Sequence, residues 1–89
     1  MKTLPYVMVR WMDTQAGPGW KDREAAEKWA NSEGEEHLSL GFRLPIGKPK
    51  NVVLAQSIQL APGGSVGELL EIPAACVVSV RILGRVDNP

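Results

Sequence analysis

The reactive side chains of this sequence are few and far apart. A nucleophile needs a base to activate it, and only Cys76 and His37 could supply a thiol and an imidazole. Cys76 stands in the apolar run from Ile72 to Val80, which is typical of a small buried thiol. His37 stands at the start of a predicted strand, on its polar phase. We therefore expect no catalytic residues and no enzymatic activity, and the sequence assigns no role to either side chain.

Metal and phosphate sites have equally little support. A structural zinc site takes about four ligands, usually Cys or His, and the chain has one of each. The glycine-rich stretch from Gly63 to Gly67 lacks the Lys-Ser/Thr of a P-loop and precedes no predicted helix, so a turn explains it better. The acidic stretch from Glu33 to Glu36 is typical of a solvated turn. The sequence predicts neither a metal nor a cofactor.

Aromatic and arginine side chains offer a binding site instead. Trp20 follows a Gly-Pro-Gly sequence, where an indole lies either in the core or against a ligand or a second subunit. Three arginines occupy the less apolar phase of their strands, where they could meet and offer forked donors to a phosphate. A solvated strand surface is the simpler interpretation of the arginines. The candidate ligand-binding residues are Trp20, Tyr6, Arg10, Arg43 and Arg81.

Alternating apolar and polar residues predict the strands that carry these side chains. The five predicted strands cover residues 4–13, 37–44, 51–60, 68–72 and 76–83. In the second strand the apolar phase predicts the core face. That phase consists of Leu38, Leu40, Phe42 and Leu44.

A helix is predicted between the first two strands. Asp22 is a candidate N-cap, and the stripe that includes Ala25 and Trp29 is expected to pack onto the sheet. The predicted fold is α+β and mostly β, with five short antiparallel strands in a bent sheet or a small SH3-like or Sm-like barrel. We expect a single domain over residues 1–89, with residues 84–89 as a flexible tail.

The length and net charge of the chain limit the kinds of partner that we expect. A chain of 89 residues buries only about 60 to 65% of its unfolded surface, and without disulfides or zinc we expect self-association to reinforce it. The formal net charge of zero counts against broad nucleic-acid binding. No apolar stretch approaches the roughly 20 residues that span a bilayer, and Met1 to Val9 lacks a signal-peptide pattern, so we expect a cytosolic protein without a membrane partner.

Several short motifs resemble a widespread group of short proteins encoded in bacteriophage genomes, and the likeness covers most of the chain. The motifs are Trp11-x-Asp13, Gly19-Trp20, Ser39-x-Gly41-Phe42-x-Leu44, Val53-Leu-Ala-Gln-Ser57 and Ile72-Pro-x-x-Cys76-Val-Val-Ser-Val80. The resemblance implies a phage accessory protein in the host cytosol and transfers no activity to particular residues.

Three functions fit this expectation. The first is a homo-oligomeric sponge that sequesters a nucleotide second messenger and so counters host defence. Trp20 would stack on the base there, and Arg10, Arg43 or Arg81 would hold the phosphate. The second is a blocker of a host protein by surface contact, and the third is an Sm-like nucleic-acid-binding module.

Overall fold

The computed structural model describes residues 3–13, 20–31 and 35–87, which form one five-stranded antiparallel sheet, one α-helix and one 3₁₀ turn. In chain order the elements are β1 (Thr3–Met12), α1 (Arg23–Ala30), β2 (Glu36–Leu44), β3 (Val52–Ile58), β4 (Val66–Ile72), the 3₁₀ turn (Ala74–Cys76) and β5 (Val77–Asp87). The predicted fold class is confirmed, including the helix between the first two strands.

The strands follow one another in the order β4-β3-β2-β1-β5. β4 and β5 are therefore the two edges of an open sheet, which does not close into a barrel. β5 continues further than predicted, because Gly84 pairs with Tyr6 and Asp87 pairs with Thr3. The prediction of a tail from Gly84 onward is thus corrected for Gly84 to Asp87. Residues 88–89 lie outside the described residues.

One face of the sheet, here called the inner face, carries the main core. Val7 lies opposite Gly41 and Val9 opposite Ser39, so the odd-numbered residues of β1 and β2 share this face. Leu54 of β3 also lies on this face, because it pairs with Arg43, the next odd-numbered residue of β2. The buried cluster of this face consists of Val7, Val9, Val52, Leu54 and Ile72, with Trp11, Cys76, Val77 and Val80 packed against it.

Small residues of β2 let this core form. Valines of β1 meet side chains of β3 across β2, which requires the sheet to bend over Ser39 and Gly41. A Cβ on Gly41 would lie 3.0 Å from the carbonyl oxygen of Ala55 and 3.2 Å from Cβ of Leu54. A larger residue would push the neighbouring atoms of β3 away by a few tenths of an ångström. The phase of β2 that contains Ser39 and Gly41 is thus the one that faces the main core.

The predicted core face of β2 is therefore wrong for half of its residues. Leu44 is buried and Phe42 is partly buried, as predicted. Leu38 and Leu40 are 56% and 48% exposed on the opposite, outer face. The outer face is buried only at its far end, in a second cluster of Leu4, Leu44, Val53 and Ala55.

Helix α1 is capped but hardly packed. The Asp22 carboxylate accepts a hydrogen bond from the backbone N–H of Ala25 at 2.7 Å, which confirms the predicted N-cap. No residue of the helix is buried, Ala25 is exposed and Trp29 is 37% exposed. The stripe that was expected to pack onto the sheet therefore leaves neither Ala25 nor Trp29 buried. The Gly-Pro-Gly loop at residues 17–19 lies outside the described residues.

The described part of the chain contains no helix that is long and apolar enough to cross a membrane.

Candidate binding face

The outer face of β1 and β2 presents a row of apolar cross-strand pairs. Tyr6 pairs with Phe42, and Met8 pairs with Leu40. In the next pair Leu38 lies opposite Arg10. The rings of Tyr6 and Phe42 meet edge to face, with centroids 5.2 Å apart. We call the five residues Tyr6, Met8, Leu38, Leu40 and Phe42 the outer strip. It runs from the buried second cluster toward the exposed end of the two strands.

An ion pair borders the exposed end of the outer strip. Arg10 lies opposite Leu38, and its guanidinium contacts the Glu36 carboxylate on the neighbouring strand. Both side chains are about half exposed, so the ion pair is worth at most about 1 kcal/mol. An open cleft of about 330 Å³ lies beside it, lined by Met8, Arg10, Glu36, His37 and Leu38. The outer strip thus ends at a charged rim.

The sheet separates the three candidate arginines. Arg10 and Arg81 share the outer face with Tyr6, because Arg81 pairs with Met8 in the register of β1 and β5. Arg43 pairs with Leu54 and so belongs to the opposite face, where it borders the turn that follows β2. Two of the predicted arginines therefore share one surface with Tyr6, and the third does not.

Trp20 contacts none of these residues. Its side chain is fully exposed, which rules out the core interpretation for this tryptophan. The structure shows no ring contact between Trp20 and another described residue. A pocket built jointly from Trp20 and the arginines is therefore not present in this arrangement of the chain.

His37 belongs to a separate polar group at the end of β1 and β2. Its ring stacks on Trp11, with centroids 4.8 Å apart and planes at 26°. Nε2 of His37 lies 3.5 Å from a carboxylate oxygen of Asp13 and 4.0 Å from one of Glu35. The Trp11 indole N–H donates to Oγ of Ser39 at 3.0 Å. Sequence reasoning did not bring these residues together, although Trp11 and Asp13 belong to one motif.

Cys76 has the packing position that its apolar sequence surroundings indicated. It is partly buried and packs against the inner-face cluster. No hydrogen bond joins its thiol to His37 within the described residues. Among residues 3–13, 20–31 and 35–87, no group of three or more His, Cys, Asp or Glu is arranged to hold a metal ion.

Leu38 and Leu40 lie on the surface although their phase in β2 predicted a core position. A signal was present in the opposite phase, where Ser39 and Gly41 are the small residues that a strongly bent strand needs on its concave side. Comparison of the chain with family models, curated proteins and solved structures gives no significant match.

Proposed function

We propose that this protein is a non-enzymatic binding protein that blocks a partner protein by surface contact through the outer strip. The observation that carries the proposal is the exposure of Leu38 and Leu40 at 56% and 48% on the outer face of β2, where this strand pairs with β1 and lies outside its short register with β3. The face of an antiparallel sheet that meets water normally carries polar side chains, so two exposed leucines at neighbouring positions of that face mark an interaction surface.

The composition of the outer strip supports a protein as the partner. Aromatic residues, methionine and arginine are the types enriched in protein interfaces, and the strip combines Tyr6, Phe42 and Met8 with Arg10 at its rim. The strip lies on a sheet face with a shallow cleft rather than in a deep pocket. A partner that presents apolar side chains beside a carboxylate fits best, because Arg10 has five N–H donors and Glu36 does not occupy all of them.

The resemblance to phage-encoded proteins supports the host cytosol as the place where the protein acts. An accessory protein of a phage acts in the host cytosol, where its partner is a host protein. Blocking requires no chemistry from the bound surface, since occupying the partner's own site is sufficient.

A sponge for a nucleotide is the second candidate, and the shared face of Tyr6, Arg10 and Arg81 favours it. Stacking on an aromatic ring contributes about 1–3 kcal/mol and a charged hydrogen bond about 1.5–3 kcal/mol. Two or three such contacts give roughly micromolar affinity. The fully exposed Trp20 adds nothing to this site as the chain is arranged. An Sm-like nucleic-acid module has less support, because Arg43 lies on the other face and the net charge is zero.

The test is capture of a partner from bacterial lysate, followed by titration of the purified partner with wild-type and variant protein. Leu40→Lys places a charge in the centre of the outer strip and should weaken binding by about 30-fold or more. Leu60→Lys is the matched control, because Leu60 is a leucine outside the strip that is at least as exposed as Leu40, and this variant should bind as wild type.

Equal binding by both variants would refute the outer strip as the binding surface.

A separate test addresses the nucleotide sponge. The protein is incubated with a panel of cyclic and signalling nucleotides, and bound molecules are released by heat and identified by mass spectrometry. An intact nucleotide retained by wild type but lost from Arg10→Ala or Arg81→Ala, with no protein captured, would decide for the sponge.

A further inference from the structure

The turn between β2 and β3 gathers positive charge in a chain whose net charge is zero. Between Glu36 and Glu68 the sequence contains no Asp or Glu. The Lys and Arg residues of this stretch are Arg43, Lys48 and Lys50, and all of them lie at the end of β2 or in the turn that follows it. The zero net charge therefore results from separate acidic and basic regions of the chain.

These three cations border one open cleft. The cleft has a volume of about 380 Å³ and is lined by residues 43–51, which include no carboxylate. The side chains of Arg43, Lys48 and Lys50 make no hydrogen bond or ion pair with another described residue. Their charges are thus available to a ligand within the part of the chain that the structure describes.

One carboxylate approaches the turn, but from the other side of the sheet. Glu71 pairs with Val53 and so lies on the outer face, whereas Arg43 lies on the inner face. A Glu71 carboxylate oxygen accepts a hydrogen bond from the side-chain amide of Asn51 at 3.3 Å. Glu71 therefore supports the turn without lining the cleft.

The turn is held in place by its own sequence and by a distant segment. Pro45 and Pro49 restrict its backbone, and the backbone N–H of Asn51 donates to the carbonyl oxygen of Lys48 at 3.1 Å. The side-chain oxygen of Asn51 accepts a hydrogen bond from the backbone N–H of Ala74 at 2.9 Å. Binding groups that are fixed in advance lose less conformational entropy when a ligand binds.

Lys50 occupies a backbone conformation that favours glycine. Its φ is 67°, in the left-handed region where a side chain is strained. A residue other than glycine that is held in this region points to a role for its side chain. Lys50 is exposed and lines the cleft, so binding of an anion supplies that role.

We propose that this cleft binds the phosphate groups of a ligand. A phosphate carries a charge of about −1.5 to −2 and three acceptor oxygens, so it matches several cations around one cleft better than a single carboxylate does. Arg43 offers a planar fork of donors, and the two lysines offer point charges on flexible stems. The volume of the cleft lies within the usual range of ligand sites.

A smaller cleft of about 150 Å³ shares a wall with the first. Its lining comes from the start of β1 and the end of β2 and consists of Thr3, Leu4, Pro5, Arg43, Leu44 and Pro45. Most of these residues are apolar, so this cleft provides a place for the organic group that carries the phosphates. No residue of the outer strip lines either cleft, and the inference is therefore independent of the proposed function.

Isothermal titration calorimetry at low salt tests the site with two probes, tripolyphosphate and an oligothymidine of about 12 nucleotides. We expect tripolyphosphate to bind with a Kd of about 100 μM or less. Arg43→Gln and Lys50→Gly should each weaken binding by about 10-fold, because each removes one cation. Lys50→Gly also relieves the strained backbone, so it should be folded and about as stable as wild type. Glu71→Gln should bind about 3-fold more tightly, since it removes the negative charge beside the turn but keeps an acceptor for Asn51.

Lys28→Gln on α1 is the matched control, because it removes an exposed cation that does not line the cleft. It should bind tripolyphosphate as wild type. Arg10→Ala and Arg81→Ala should also bind as wild type, which separates this cleft from the nucleotide site considered for the outer face.

The two probes distinguish the sources of the phosphates. Binding of the oligothymidine with the same losses would identify a nucleic-acid backbone, whereas binding of tripolyphosphate alone would identify a small molecule. Absence of binding of both probes up to about 1 mM would overturn the inference. Unchanged affinity of Arg43→Gln and Lys50→Gly, or an equal loss in Lys28→Gln, would overturn it as well. Circular dichroism establishes that each variant is folded, and Lys48→Gln replaces Arg43→Gln with the same expected loss if the latter is not.

Discussion

At the scale of single residues, the absence of a side chain at Gly41 shapes the sheet. The added Cβ would approach the Ala55 carbonyl oxygen to 3.0 Å, which is tighter than nine in ten real Cβ contacts, and the backbone yields less easily than a flexible side chain does. Gly41 is also buried. Its smallness lets β3 approach β2 and lets the valines of β1 reach Leu54.

We predict that Gly41→Ala lowers the free energy of unfolding by about 1–3 kcal/mol, the usual effect of overpacking. Gly84→Ala is the matched control, because an added Cβ there meets nothing within 4 Å. Its free energy of unfolding should stay equal or rise by up to about 1 kcal/mol, since alanine restricts the unfolded chain. Urea denaturation followed by tryptophan fluorescence measures both. Equal stability of the two variants would contradict the account of the bend.

Two residues of the short sequence motifs have structural roles. Trp11 packs against the inner core and donates its indole N–H to Ser39, which joins two motifs across β1 and β2. Cys76 packs beside the same core. The motifs thus account for the fold rather than for a reaction, which agrees with the proposal of a non-enzymatic protein.

At the scale of elements, α1 is a helix that is stabilised locally. It is eight residues long and buries no residue, and isolated helices of this length are marginal in water. The Asp22 cap and the exposed pair of Glu24 with Lys28 at 3.7 Å are its local support. The helix should therefore open independently of the sheet.

We predict that Asp22→Ala weakens the helix by about 1 kcal/mol while the free energy of unfolding of the sheet changes by less than about 0.5 kcal/mol. Amide exchange at Ala26 and Asn31, whose N–H groups make backbone bonds to Asp22 and Glu27, reports on the helix. Asp22→Asn keeps a capping oxygen and should exchange nearly as wild type. A fall in the urea midpoint of Asp22→Ala would instead show that the helix packs on the sheet in solution.

At the scale of the whole molecule, the chain is extended for its length. Its radius of gyration is 17.0 Å, whereas a compact domain of this length has about 12 Å. Among the described residues, more large apolar side chains are exposed than are buried. A fold with this balance gains stability when copies cover each other's edges.

We predict that thermal stability depends on protein concentration. Association with the folded chain alone shifts the unfolding equilibrium by mass action, so the midpoint should rise by about 4 °C between roughly 5 and 50 μM. Differential scanning calorimetry measures the midpoint at both concentrations. A concentration-independent midpoint of the wild type would exclude self-association in this range.

Local sequence determined the elements of this protein. The period of two in apolar residues, with turns rich in glycine and proline between them, sufficed to place five strands, and Asp22 sufficed to place the start of the helix. The strand phase also placed Tyr6 and Arg10 on one face, because residues two apart in a strand always share a side. These features depend on residues that are close together in the sequence, so the sequence alone is enough to predict them.

Only the tertiary structure decided which face became the core. Alternation shows that Leu38 and Leu40 lie together, but not toward which side the sheet bends. That side was set by contacts between β1 and β3 across Gly41, which are distant in sequence. The same bend left the two leucines exposed, and strand order alone made β4 and β5 the edges. The surfaces proposed for binding therefore arise from non-local packing, which no window of the sequence contains.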